Sequence, residues 1–312
     1  MIHRIDPIPE NLQGDISRDR QPILTIDPGD TIIAGTRDCD WGWDAPPSPD
    51  VLPKSLSREE RKDPEHDGGN CLLGPVAIRG AEPGMTVEVE IQSLKFRSHG
   101  ISMRGGSHKE RYEYLGLGDE FAWLYWSIDA AAGTATNSLG HTVKLRPFLG
   151  SIGLAPAAPG WHTNMAPYSC GGNMDCKDLI VGSKLYLPVE ASGGMLSFGD
   201  GHATQSDGEL GGSAIECPME DVTIKVSLID DMPIKWPVAR TPEGWIAFGF
   251  AEKVDEAMYI ATSGMLDLMV QKLGVSRIEA SMLASLVVDL RITQFVNPVK
   301  GVHAFWPDGS LQ

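Results

Sequence analysis

The chain is poor in cysteine and has no CxxC pair: Cys39, Cys71, Cys170, Cys176 and Cys217 are scattered through 312 residues and odd in number. That argues against a disulfide framework or a structural zinc knuckle and for reduced thiols. No run approaches the roughly 20 apolar residues of a membrane span, and the opening Met1-Ile2-His3-Arg4-Ile5-Asp6 lacks the apolar stretch of a signal peptide. A cytoplasmic protein with no membrane partner is expected. Basic residues are scarce, 26 Lys and Arg against 42 Asp and Glu for a net charge of -16. Such a surface does not neutralise phosphates, so nucleic acid is excluded as a partner. There is no internal repeat and no linker that clearly divides the chain. One unit over residues 1–312 is the expectation, with room for two β-rich subdomains, about 1–145 and 146–312.

What the chain has in excess is turn formers, 35 glycines and 22 prolines. Between them lie segments of period two. Val87, Val89 and Ile91 alternate with polar residues, as do Val222, Ile224, Val226 and Leu228, and Leu185, Leu187 and Val189 read the same way. Helical spacing comes late: Met258, Ala261, Met265, Leu266, Met269, Val270 and Leu273 form a stripe closed by Gly274, with the methionines as core filler. Ser276-Arg277-Ile278-Glu279 reads as a capping box opening a second helix. The predicted class is mainly β (α+β), an antiparallel sandwich or barrel-like core with a few peripheral helices near the C-terminus. Residues 41–70, with five prolines and the charge run Ser57 to Asp63, read as a long solvated loop or mobile insertion.

Chemistry-bearing residues concentrate in Gly199-Asp200-Gly201-His202-Ala203-Thr204-Gln205-Ser206-Asp207-Gly208-Glu209. Carboxylates and one imidazole among glycines can converge on a hard or borderline divalent cation, while the order of the acids differs from a calcium-binding EF-hand loop. Cys170-Gly171-Gly172-Asn173-Met174-Asp175 and Thr36-Arg37-Asp38-Cys39-Asp40 are two further acidic turns. All three blocks also have a plainer reading, as Asp/Asn/Gly turns bonding their own backbone.

In order along the chain, these blocks resemble the acetamidase/formamidase family. The resemblance is carried by Asp27-Pro28-Gly29-Asp30, Asp38-Cys39, Gly74-Pro75-Val76 through Gly80-Ala81-Glu82-Pro83-Gly84, Pro147-Phe148-Leu149-Gly150-Ser151 through Pro156, Gly171 to Asp175, Leu185 to Val189, Gly199 to Glu209 and Asp289 to Gln294. It implies a β-rich fold, hydrolysis of a small aliphatic amide of the formamide or acetamide class, a bound divalent metal (zinc and/or calcium), and self-association. Carried over by position, the resemblance suggests Asp175, Asp200, His202 and Asp38 for the metal and Glu209, Asp207 and His202 for catalysis. It suggests Asn173 and Gln205 for the substrate, with His162 close enough in sequence to reach the same cleft. Cys170 and Asp40-Trp41-Gly42-Trp43 depart from the family pattern.

The rival enzyme readings are weaker. Cys176 beside Lys177 and Cys217 beside Glu216 suggest a thiol amidase, but neighbours in a strand point to opposite faces. Gly211-Gly212-Ser213 has no matching lysine motif. The single histidines His99, His108, His141 and His303 have no partner at ligand spacing. The non-enzymatic alternative is a metal-stabilised β-sandwich in which Trp41, Trp43, Trp123 and Trp126 stack on a ligand.

Overall fold

A computed structural model describes residues 1–104, 109–118 and 120–311, with the side chains of residues 109 and 110 outside the description; His108 lies outside the described residues. The alternating segments pair as their periodicity requires. Thr86–Phe96 and Met219–Ile229 run antiparallel as inner neighbours of a nine-stranded sheet, whose edges are Ile2–Ile5 and Asp289–Gln294. A seven-stranded sheet faces it, in the order Pro167–Tyr168, Gly171–Asn173, Phe148–Gly153, Leu196–His202, Leu72–Ile78 and Leu12–Gln13, with Leu24–Ile26 added beside Leu72–Ile78. Four further strands, from His99–Arg104 to Thr142–Lys144, form a third sheet. All are open sheets, so the architecture is a sandwich rather than a closed barrel. Two pairings, Ile2–Ile5 with Thr31–Thr36 and Leu24–Ile26 with Leu72–Ile78, are parallel.

One core joins the two large sheets. Ile32, Val87, Val89, Ile91, Val222, Ile224 and Val226 from the first pack with Leu73, Val76, Leu149, Ile152, Leu196 and Phe198 from the second. Both sheets draw strands from either side of residue 145. Strands also continue past the late helices, as Asp289–Gln294 and Lys300–Pro307.

The helix Val254–Leu273 buries Ala257, Ala261, Met265, Leu268 and Met269 against Val238, Ala247, Val302 and Ala304, so two of the stripe's methionines fill this core while Met258 stays partly exposed. Gly274 ends the helix in the left-handed conformation, at φ 69°. Ser276 and Glu279 then form the reciprocal capping box that opens Arg277–Val287. Among the described residues no helix is long and apolar enough to cross a membrane.

The 41–70 segment is exposed along most of its length, as expected of a solvated loop, and is anchored at its two ends. Trp41 and Asp67 are fully buried, and Asp67 accepts from Arg20 Nη2 at 2.7 Å and from the Gly14 amide at 3.0 Å. Arg61 lies over the Trp41 ring at 4.1 Å, and Trp41 Nε1 donates to the Gly69 carbonyl. These contacts hold the two ends of the loop while the charge run from Ser57 to Glu60 between them stays exposed.

Candidate active site

The Phe148–Gly153 strand lies between Gly171–Asn173 and Leu196–His202. Asp175 follows the first neighbour, while Asp200 and His202, two residues apart on the second, share a face. Gly150 sits between them, and its carbonyl accepts from the amides of Met174 and Asp175 at 3.0 Å each. A Cβ at Gly150 would stand 2.5 Å from Asp200 Oδ2, 2.6 Å from His202 Cε1 and 2.8 Å from Asp175 Oδ1. Only glycine lets these three side chains converge there, and all are nearly fully buried, at 3%, 2% and 2% exposure for Asp175, Asp200 and His202.

The backbone is strained at the same place. Five described non-glycine residues have positive φ, and three of them are Asp175 (52°), Asp200 (59°) and Glu209 (51°). Each such residue costs on the order of 1–3 kcal/mol and persists only where its surroundings enforce it. Neutral groups supply the enforcement. Asn297 Nδ2 donates to Asp175 Oδ2 at 3.1 Å, and Asn70 Nδ2 to Asp200 Oδ2 at 3.1 Å. Ser151 Oγ lies 2.8 Å from Asn173 Oδ1 and 3.3 Å from Asp200 Oδ2. Gln205 Nε2 donates to the Asp175 carbonyl at 3.0 Å, and the edge of His202 meets the Phe148 ring.

Glu216 completes the cluster. Its backbone bridges the His99–Arg104 strand to the end of Leu196–His202, which carries Oε2 to 2.9 Å from His202 Nε2. That approach is close without hydrogen-bond geometry, since among the described residues Glu216 Oε2 is buried and has no hydrogen-bond partner. Glu209 Oε2 is buried and unpartnered as well.

Among the described residues, four carboxylates therefore surround one imidazole with no Lys or Arg bonded to them. Burial above all, and then the Asp200 charge, pushes the Asp175 carboxyl up to about 8. Burial and the charges of Asp175 and Glu216 drive Glu209 well above its ordinary value. Burial opposes charging His202, yet the Glu216 and Asp200 carboxylates outweigh it and raise its pKa far above the usual imidazole range.

These groups form the floor of a cavity of about 610 Å³, whose walls include Asn70, Asn173, Asn297, Cys39, Arg58, Arg61, Arg104 and Phe121. Ligand atoms of Asp175, Asp200 and His202 lie within 4.8 Å of one another, and so do those of Cys39, Asp200 and Glu216. Both triads suit a divalent cation in donor chemistry. The buried unpartnered oxygens and the uncompensated negative charge fit one as well.

The remaining residues singled out in the sequence fall elsewhere. Asp207 does not line the cavity; it pairs with Lys177 at 2.8 Å near the surface. His162 is partly exposed, bonded to the Ala158 carbonyl and edge-on to Tyr168, away from the cavity lining. Gln205 supports the Asp175 backbone rather than facing the cavity. Asp38 is buried beside the site, accepting from the Gly42 amide at 2.6 Å, and its neighbour Cys39 reaches the wall in its place.

Cys170 bonds the Leu154 carbonyl, and burial raises the Cys170, Cys176 and Cys217 thiols far above their ordinary value. The same holds for Cys39, where the Glu216 and Asp200 charges add to burial. None of these is a ready thiolate. Asn70, Asn297, Cys39 and Glu216 escaped sequence reasoning as site residues. Only the Asp38-Cys39 pairing and the mention of Glu216 beside Cys217 came near them.

Fold and site define a class: a β sandwich with a buried carboxylate–imidazole centre at the floor of one cavity. The chain belongs to the acetamidase/formamidase family. The family's sequence model matches residues 157–298. An acetamidase structure from Yersinia enterocolitica is 30% identical and superposes with a TM-score of 0.84 over 100% of this chain and 94% of that one. An acetamidase from Bacillus halodurans is 28% identical, with a TM-score of 0.83 over 97% of each chain. A Schizosaccharomyces pombe protein assigned as a formamidase is 28% identical over 238 residues, and the chain spans 58% of that relative's length.

Proposed function

We propose that this centre hydrolyses a small aliphatic amide to carboxylate and ammonium, with a divalent cation, zinc or calcium, held by Asp175, Asp200 and His202. The observation carrying the reading is the convergence of these three buried groups on one cavity floor in a chain similar along its length to acetamidases. When bound, the cation supplies acidification of water and polarisation of the amide carbonyl. Glu209 Oε2 would accept a proton from the attacking water and return it to the departing nitrogen. Asn173, whose Oδ1 is occupied by Ser151, presents its Nδ2 to the carbonyl oxygen. Asn70, Ser151 and Asn297 hold the Asp200 and Asp175 carboxylates in place by neutral hydrogen bonds, leaving their charge for the cation.

Ammonia release from formamide, acetamide and propionamide, measured beside metal content, tests this. His202→Ala is expected to lose both metal and turnover. Glu209→Gln is expected to keep metal while slowing turnover by about 10²–10⁴. A folded, metal-loaded protein that releases no ammonia from any amide overturns the hydrolase reading.

A further inference from the structure

A substrate of the acetamide class leaves most of the cavity unfilled. Acetamide has four non-hydrogen atoms and occupies about 100 Å³ on the scale of roughly 30 Å³ per water molecule, a small part of the 610 Å³ present. The rest is bounded by Met103, Phe121 and Met165 and by three arginines, Arg58, Arg61 and Arg104. The opposite polarity of floor and wall is the unusual feature.

Each arginine is anchored only by neutral groups. Arg58 donates to the carbonyls of Pro64 and Glu65, Arg61 to those of Asp67 and Leu56, and Arg104 to those of Glu120 and Gly118. Arg61 and Arg104 also lie over the Trp41 and Tyr112 rings, at 4.1 Å and 4.6 Å from the ring centres. Among the described residues, no carboxylate lies within ion-pair distance of any of the three. Arg20, Arg146, Arg240 and Arg277 elsewhere in the chain all hold one. Asp40 stands on the same wall, accepts from Ser55 Oγ and feels the Arg61 charge without an ion-pair contact to it. In a chain of net charge -16, three guanidinium groups on the wall of one cavity, none in an ion-pair contact among the described residues, form an anion-binding wall. Guanidinium recognises carboxylate by paired, charge-assisted bonds.

We propose that this wall binds a carboxylate on the far end of the substrate's acyl chain, so that the preferred substrates are monoamides of dicarboxylic acids. The inference rests on the amide-hydrolase reading. The amide sits on the acidic floor, the methylenes run past Met103 and Phe121, and the terminal carboxylate meets the arginines. Water attacks the amide carbon, a C–O bond replaces the C–N bond, and the products are the dicarboxylate and ammonium, with no other reactant.

The test compares malonamate, succinamate, glutaramate and adipamate with neutral amides of matched length, glutaramate against valeramide for example. The expected result is a kcat/KM at least about tenfold higher for the carboxylated member at one or more lengths, as one charge-assisted pair supplies. Arg58→Gln and Arg104→Gln should each cut that ratio about tenfold. Arg104→Glu should shift preference toward the cationic 5-aminopentanamide, which a purely structural role for Arg104 does not produce.

A calorimetric titration with glutarate, which needs no turnover, is expected to show binding that Arg104→Gln weakens. If neutral amides are hydrolysed and no carboxylated amide is preferred, the subsite is refuted and the hydrolase reading stands. If no amide is hydrolysed, the hydrolase reading falls and glutarate alone decides the subsite: binding sensitive to Arg104 supports it, and absence of binding refutes it.

Discussion

Asp175 and Asp178 lie on one short segment, each in a buried carboxylate–histidine cluster, and the two clusters are compensated in opposite ways. Asp178 is met by Arg146 at 2.6 Å, by Arg291 at 3.3 Å and by His303 Nε2 at 3.6 Å. Burial raises its pKa, but the His303 contact and the charges of both arginines win and hold it below its ordinary value. Asp175 has an amide donor and two carboxylate neighbours, and its pKa goes up. Cys176, Asp178 and His303 also have ligand-like spacing, so geometry alone does not separate the clusters. The arginines do: where the protein supplies its own cations the cluster is a strut, and where it withholds them the cluster is left with charge for something else to neutralise.

The comparison breaks most sharply at Gly150. In Gly150→Ala the new methyl group lies within 2.5–2.8 Å of Asp200, His202 and Asp175, and at least one of them must shift. A displacement of this order costs about 10²-fold in turnover, while overpacking costs about 1–3 kcal/mol of stability. Steady-state ammonia release alongside chemical denaturation should show activity falling far more than stability. A variant with near-normal turnover would mean that the convergence at Gly150 is not used.

A second test reads the sign of the two acids through pH. Asp178 is held below its ordinary value of 3.8. Its contribution is therefore complete above about pH 4 and is lost as pH falls through the folded value. Asp175, raised to about 8, behaves in reverse in chelator-treated protein: stability is greatest below about pH 4 and is lost as pH rises toward 8. Thermal unfolding of chelated protein between pH 3 and 8.5 should show Asp178→Asn less stable than wild type near neutrality, with the gap closing in acid. Arg146 and Arg291 keep 35% and 28% side-chain exposure, which discounts the deficit to about 1–3 kcal/mol. Asp175→Asn should gain on wild type as pH rises. Deficits of the same sign and pH trend in both would erase the distinction.

The same two clusters show how far sequence reading reaches. The glycine-rich block from Gly199 to Glu209 marked Asp200 and His202, and the methionine stripe and the Ser276–Glu279 box marked the helices, because these are local regularities. Glu216 was not recognised as part of the site because it arrives through a two-sided backbone bridge to Ile101 and His202, a register with no local signature. Asn70 and Asn297 likewise reach the acids across 130 and 122 residues of chain. Arg58 and Arg61 sat in a charge run whose composition reads as solvated, and only the burial of Trp41 and Asp67 turns that run toward the cavity. Asp207 misled in the other direction, since proximity to Glu209 in a polar block says nothing about which way a loop side chain faces.

The smallest expected effect belongs to that residue. Asp207 pairs with Lys177 where both side chains keep solvent access, at 31% and 23% exposure, so the pair contributes at most about 1 kcal/mol. It lies off the cavity that Glu209, two residues on, helps to line. Asp207→Asn should then keep turnover within about twofold and stability within about 1 kcal/mol of wild type, while Glu209→Gln loses orders of magnitude in rate. Both variants remove one negative charge from the same loop, so any general electrostatic influence on the floor is common to them, and only direct participation separates them. A collapse of activity in Asp207→Asn with metal content and unfolding midpoint unchanged would restore Asp207 as the base and require the loop to turn inward when substrate binds.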